Sequence, residues 1–297
     1  MTATEFRVPV TGGEIVGHVH GDHGPDIMLL SSIGLGELFW WRTAQKLAEN
    51  ARVVTLAVRG HGRSTCEMVR GETIDALHDL VAVADHLGME RPAVIGYEFG
   101  AAVGALTARL FPERFAAVGI VDAPMILTTE QYTELVSIFE DDDLQAMLAA
   151  RAGLGANGPD EASMTEFLDT MSAQMASDWN GLNPDAESTR ASLINDILFE
   201  PSGAWVRRPT IETCATYVDV PDDFFARPGR ELLGSLSVPV WVLHLTDGRY
   251  THGFEEFQEY AAGRESWDVR SVAGGTEHFH DGTLADEITE LLSTLPV

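Results

Sequence analysis

The stretch AVIGYEFGAAVGA, from Ala93 to Ala105, decides the fold. A short apolar run of strand character meets Gly96-Tyr97-Glu98-Phe99-Gly100, and the small residues beyond it repeat with helical spacing. A chain that passes straight from a strand into a helix must turn within a few residues. Small flanking residues permit the strained backbone that such a turn requires. The central side chain is thereby lifted above both elements. Here it is a glutamate, whose carboxylate is ionised near neutrality without a base to take its proton.

Outward from this turn the chain alternates. "EFRVPV" and "EIVGHVH" read as opening strands about Gly12-Gly13, and "DIMLLSS" is an unbroken apolar strand of the kind that a doubly covered parallel sheet requires. A glycine loop and amphipathic helix ("IGLGELFWWRTAQKLAEN"), the strand "RVVTLAV", the turn "RGHGRS" and a helical repeat from Ile74 to Leu87 come before the turn. "FAAVGIVDAP" completes a strand-helix-strand run after it. The strands then disappear, and the segment becomes helical, with Met125, Met147, Met164, Met171, Met175, Trp179 and Trp205 among its apolar residues. Alternation resumes with "VPVWVLHL", "FEEFQEYAA", "SWDVRSV" and "LADEITELLSTL". The expected organisation is a core formed by residues 1–124 and 230–297, interrupted by a helical lid at 125–229. A chain of 297 residues suits one large core with an insertion.

Charge narrows the function classes. Against 46 acids stand 19 bases, giving a formal net charge of -27, and Lys46 is the single lysine, so no basic patch is available for nucleic acid or an anionic membrane. The start, "MTATEFRVPV", lacks a basic region followed by a long apolar one, and no later run approaches a membrane span, so a cytoplasmic protein is expected. Cys66 and Cys214 are far apart and read as buried free thiols rather than a metal or redox pair. His18 and His20 alternate along an opening strand and read as edge or surface residues.

Five ordered stretches together resemble the α/β-hydrolase superfamily. Gly96–Gly100 resembles its nucleophile elbow, "LLSSIGLG" the loop that supplies an oxyanion-hole amide, and "RGHGRS" the turn after the fourth strand. "VPVWVLHLTDG" resembles the strand that carries the triad acid, and "GGTEHFHDG" the stretch that carries the triad histidine. The resemblance implies an α/β fold: a mostly parallel central sheet, helices on both faces and an inserted helical lid. Residue by residue, it places Glu98 at the nucleophile position, His278 at the base, and the amides of Ile33 and Phe99 at the oxyanion hole. The family's acid falls near Asp247 or at Gly248, so Asp247 is the expected partner of His278, with Asp122 in reserve.

A carboxylate at the elbow has three possible roles. It can attack carbon directly, as an aspartate does in the superfamily's epoxide hydrolases and dehalogenases, while the histidine activates water to cleave the ester. It can act as general acid or base, opening an epoxide, closing a ring or joining two carbons without an ester intermediate. It can also hold the loop in a pocket that binds without turnover. The resemblance favours an enzyme of secondary metabolism that needs no cofactor or metal and acts on a bulky apolar or aromatic small molecule as a monomer or homodimer. A non-catalytic binder and an ester or lactone hydrolase are the alternatives. Ser32, Trp40, Tyr97, Tyr132, Trp179 and Tyr217 are the expected pocket walls.

Overall fold

The structure, a computed structural model, describes residues 3–178, 186–219 and 224–295. Its strands are β1 (Thr4–Val10), β2 (Gly13–His20), β3 (Asp26–Leu30), β4 (Arg52–Ala57), β5 (Ala93–Tyr97), β6 (Ala117–Val121), β7 (Asn157–Gly158), β8 (Ile197–Phe199), β9 (Trp205–Arg207), β10 (Val240–Leu245) and β11 (Trp267–Val272). Eight of them form one sheet in the order β1-β2-β4-β3-β5-β6-β10-β11. β2 runs antiparallel to β1 and β4, and every other pairing in this sheet is parallel.

Strand side chains point alternately to opposite faces, and both faces of this sheet are covered. Met28, Leu30, Val94 and Val118 join one core; Ile27, Leu29, Ile95 and Tyr97 join the other. That two-sided burial is why the inner strands read as continuous apolar runs instead of alternating ones. Helices α1 (Trp41–Leu47), α2 (Thr73–His86) and α3 (Phe99–Leu110) belong to the first half of the chain. Between β6 and β10 lie α4 (Thr129–Val136), α5 (Asp142–Ala152), α6 (Glu161–Asp178), α7 (Ala186–Asn195), α8 (Ile211–Val218) and α9 (Arg230–Gly234). Finally α10 (Phe254–Ala261), α11 (His278–Asp281) and α12 (Thr283–Leu292) return to the sheet. The first core packs α2, α3 and α10 against the sheet, and the second packs α1 and α12. None of the described helices is long and apolar enough to cross a membrane.

Two expectations need correction. The segment between β6 and β10 is not strandless: β7, β9 and β8 form a small antiparallel sheet in that order. Strands of two and three residues are too short to display a period of two, so sequence pattern could not reveal them. This segment has its own core of Leu168, Met171, Met175, Leu193, Ile197 and Trp205. The second correction concerns β2, which lies inside the sheet. His20 is therefore buried beside Thr55, and burial pushes its pKa down to about 4. The rings of His18 and His20 meet Trp41 edge-on.

Candidate active site

The elbow is made by close approach. A Cβ on Gly96 would stand 2.2 Å from the Ala101 nitrogen, and one on Gly100 would stand 2.5 Å from the Ser31 carbonyl oxygen. Only glycine fits either place. Glu98, between them, is held at φ 47° and ψ -117°, a conformation that costs an L-residue about 1–3 kcal/mol. Its N–H donates to the Val121 carbonyl at 3.2 Å, tying the turn to the end of β6.

The Glu98 carboxylate is buried, and its Oε1 lies 3.3 Å from Nε of Arg249, whose side chain is 47% exposed. Burial raises the Glu98 pKa; the charge of Arg249 and the hydroxyls of Ser32 and Tyr97 oppose that rise, and nearby Asp122 adds to it. Although those hydroxyls are close enough to act on the carboxylate, Oε1, Ser32 Oγ and Tyr97 Oη have no well-formed hydrogen bond among the described residues. A proton donor or acceptor entering here would find three buried polar atoms ready for it.

Asp122, the reserve acid, belongs to this cluster. It follows β6 at φ 38°, is 2% exposed, and accepts the N–H groups of Arg249 at 2.9 Å and Tyr250 at 3.3 Å. Those two bonds fix the backbone from which Arg249 reaches Glu98. Burial raises the Asp122 pKa, against the two backbone donors and the Arg249 charge. A Cβ on Gly248 would stand 2.3 Å from Asp122 Oδ1, so the Asp122 carboxylate fills the space beside Gly248.

Asp247 does not orient His278. It is exposed, and its N–H donates to the Gly274 carbonyl at 2.8 Å. The His278 ring instead engages its own segment: Nδ1 lies 2.9 Å from Asp281 Oδ2 and Nε2 lies 2.7 Å from the Ala273 carbonyl oxygen. Both partners are acceptors, so the ring satisfies both only as an imidazolium. Burial works against that charge, but the Ala273 carbonyl, Asp281 and Glu277 raise the His278 pKa overall. The expected Glu98–His278 proton pair is replaced here by Glu98–Arg249.

The oxyanion loop is clamped from two sides. The Gly34 N–H donates to His61 Nε2 at 3.2 Å, while the Gly34 carbonyl accepts from Arg207 Nη2 at 3.2 Å. His61 Nδ1 lies 3.1 Å from the Arg59 carbonyl, so this ring is neutral with its proton on Nδ1. Burial holds its pKa down at about 4. Arg207 is itself buried, 3.6 Å from Asp196. Ile33 adjoins Gly34, and Phe99 opens α3, where the first N–H groups lack intrahelical acceptors. Ile33 and Phe99 both line a gap of about 20 Å³ with Tyr132 and Tyr217. Tyr132 and Pro228 continue into a cavity of about 660 Å³ among α4, α5 and α8.

The other expected walls divide. Tyr132 packs edge-on against Phe99, and Tyr217 uses its hydroxyl on the Arg59 carbonyl at 3.0 Å. Trp40 is not a pocket wall: it is wholly buried against Phe39 and Phe279, because the helix that it precedes turns this side toward the sheet. Tyr97 is likewise core, stacked on Phe39, with its hydroxyl toward Glu98. Trp179 lies outside the described residues. Sequence reading missed Arg249, His61 and the Asp196–Arg207 pair. For Arg249 a signal existed, since a cation immediately follows the segment where the family's acid is expected.

Comparison with known proteins agrees with this architecture. Residues 26–190 match the family model described as alpha/beta hydrolase fold. A putative carbamate hydrolase RutD from Caulobacter sp. (strain K31) is 32% identical over 108 residues, which cover 35% of this chain and 40% of that protein. The dihydrolipoyllysine-residue acetyltransferase component of an acetoin cleaving system from Pseudomonas putida is 29% identical over 101 residues, covering 34% of this chain and 27% of that protein. The matches thus span well under half the length of these relatives. Among solved structures, E-2-(acetamidomethylene)succinate hydrolase superimposes with a TM-score of 0.73 at 14% identity, covering 99% of this chain and 100% of the other. The thioesterase domain from the curacin biosynthetic pathway does so with 0.70 at 18%, again covering 99% and 100%. At these identities the likeness concerns the fold.

Proposed function

The chain belongs to the alpha/beta hydrolase fold family, and from that premise we propose that it is an enzyme in which Glu98 performs general acid–base chemistry on a bulky apolar small molecule. The observation that carries this reading is the carboxylate itself, buried on a strained turn with a raised pKa and with no well-formed hydrogen bond to Oε1 among the described residues beyond the Arg249 ion pair at 3.3 Å. As a base, Glu98 removes a proton from a substrate hydroxyl or activated carbon. The amides of Ile33 and Phe99 then stabilise the negative charge that develops on a substrate oxygen. Glu98 returns the proton to that oxygen, and the net change is an isomerisation such as epoxide opening by an internal nucleophile, a cyclisation or carbon–carbon bond formation. The charge of Arg249 favours the ionised carboxylate, against the burial that raises its pKa. The segment at 125–229 serves as the lid, and the cavity beyond Tyr132, where Val136, Phe139 and Val218 stand among charged side chains, takes the body of the substrate.

The covalent route is the weaker one, because it needs an imidazole free to activate water, and both His278 nitrogens are engaged by Asp281 and Ala273. Ester, lactone or carbamate hydrolysis has the same need. A specific observation favours the non-catalytic binder as second reading: Arg249 already closes over Glu98 at 3.3 Å. A phenyl-substituted 4,5-epoxy-1-alcohol, supplied to the full chain in heavy-oxygen water, separates these. Acid–base catalysis gives the cyclic ether with no solvent oxygen, and Glu98→Gln slows it by about 10²–10⁴-fold. Binding without conversion by the wild type supports the binder, and equal rates in both proteins remove Glu98 from the chemistry.

A further inference from the structure

A second cavity, of about 620 Å³, lies where α1 and β2 face α7 and β8, and it shares no wall residue with the cavities at Tyr132. Its composition runs against the rest of the molecule. In a chain with 46 acids and 19 bases, this wall carries two guanidinium groups, Arg42 and Arg63, and two imidazoles, His18 and His280, with no carboxylate among the described residues.

Two acids, Glu5 and Glu37, touch the wall residues from outside the cavity, and Glu37 is 1% exposed. One Glu37 oxygen is shared by His18 Nδ1 at 3.2 Å, Arg63 Nη2 at 3.8 Å and the Asn195 amide at 3.2 Å. Arg63 also pairs with Glu5 at 2.7 Å, yet its Nε is buried without a hydrogen-bond partner among the described residues. Arg42 is exposed at the cavity and makes no hydrogen bond or ion pair among the described residues. Opposite these cations stand Ile194 and Phe199, which are 40% and 55% exposed, large apolar side chains left open to solvent. Trp41 adds an indole face to the same space.

Apolar surface opposed to one guanidinium without a partner among the described residues, Arg42, and a second with an unsatisfied Nε, Arg63, is the complement of one kind of ligand. We propose that this cavity binds a small amphipathic organic acid, with its ring or acyl chain against Trp41 and Phe199 and its carboxylate between Arg42 and Arg63. The overall charge of -27 repels anions at long range, so binding depends on this local, partly desolvated pair of cations. The site is separate from Glu98 and stands whether or not Glu98 is catalytic.

Calorimetric titration of the full chain with 4-phenylbutyrate, and with the neutral 4-phenylbutyramide as its control, tests the assignment. The acid should bind at least about tenfold more tightly than the amide, from the charge-assisted hydrogen bonds that the amide cannot make. Arg42→Gln, at an exposed position, should remove that preference, and Phe199→Ser should weaken both ligands, while Glu98→Gln leaves both unchanged. Equal binding of acid and amide, or no binding of either at millimolar concentration, would overturn the proposal. So would an acid preference that survives Arg42→Gln and Arg63→Gln but is lost in Glu98→Gln, which would place the ligand at the elbow. Circular dichroism of each variant confirms that it is folded.

Discussion

Arg207→Met should carry a cost that depends on pH in a calculable way. Arg207 joins β9 to the oxyanion loop through its bond to the Gly34 carbonyl and lies 3.6 Å from Asp196, both side chains being 2% exposed. Burial pushes the Asp196 pKa up to about 7 from 3.8, against the attraction of Arg207, and Glu37 adds to the rise. A carboxyl raised in this direction contributes stability that is fully present below its unfolded value. That stability is lost as pH climbs through the folded value. In the wild type the loss ends near pH 7. Without Arg207 the folded value moves higher still, and the loss continues at about 1.4 kcal/mol per pH unit. At pH 6 the variant should therefore be weaker by about 1 kcal/mol, the hydrogen bond to Gly34 alone. At pH 9, roughly two units above the wild-type value, the deficit should reach about 3–4 kcal/mol, within the range for breaking a buried ion pair. Urea unfolding followed by circular dichroism at both pH values measures this, and Asp196→Asn in the same chain should return most of the alkaline deficit. A deficit equal at pH 6 and pH 9, or one that Asp196→Asn leaves untouched, would refute the reasoning.

Three further outcomes can be checked directly. Glu98→Gly should raise stability by about 1 kcal/mol in thermal unfolding, because glycine accepts the positive φ and no carboxylate remains buried; a fall would mean that the turn is not strained. Asp122→Ala leaves the Arg249 and Tyr250 N–H groups without their acceptor and should cost about 2 kcal/mol in urea unfolding, along with most of the Glu98-dependent turnover. His278 has a raised pKa, so its contribution to stability is present below its ordinary value of 6.5 and disappears as pH rises through the folded value. Asp281→Asn should lower the His278 titration midpoint in proton NMR and destabilise the protein chiefly on the acid side; an unchanged midpoint would contradict the 2.9 Å contact.

The fold was legible because two-sided burial writes itself into the sequence as apolar runs, and because Gly96 and Gly100 are demanded by backbone contacts that no other residue survives. The positions of Glu98 and Phe99 follow from that turn, since they depend on local chain geometry. The partners of Glu98 were not legible in the same way. Arg249 reaches it from the loop after β10, and its placement depends on Asp122 at the end of β6, a relation between strands that neighbour each other only in the folded sheet. Likewise, a histidine in the expected stretch says nothing about which way its ring turns, and Asp281, three residues on, captured it. Trp40 and Trp41 show the same limit: adjacent in sequence, they face a core and an open cavity respectively.

The crowding between Asp122 and Gly248 makes positions 122 and 248 compete for a single volume. An aspartate can be delivered there from the end of β6 or from the loop after β10, and the arrival of one excludes the other. Descendants or designs that move the acid from one strand end to the neighbouring one must therefore change both residues together, since either change alone leaves two carboxylates colliding or none present. Asp122→Gly with Gly248→Asp is the exchange that keeps the count at one, and it offers a way to relocate a negative charge while the room it occupies stays the same.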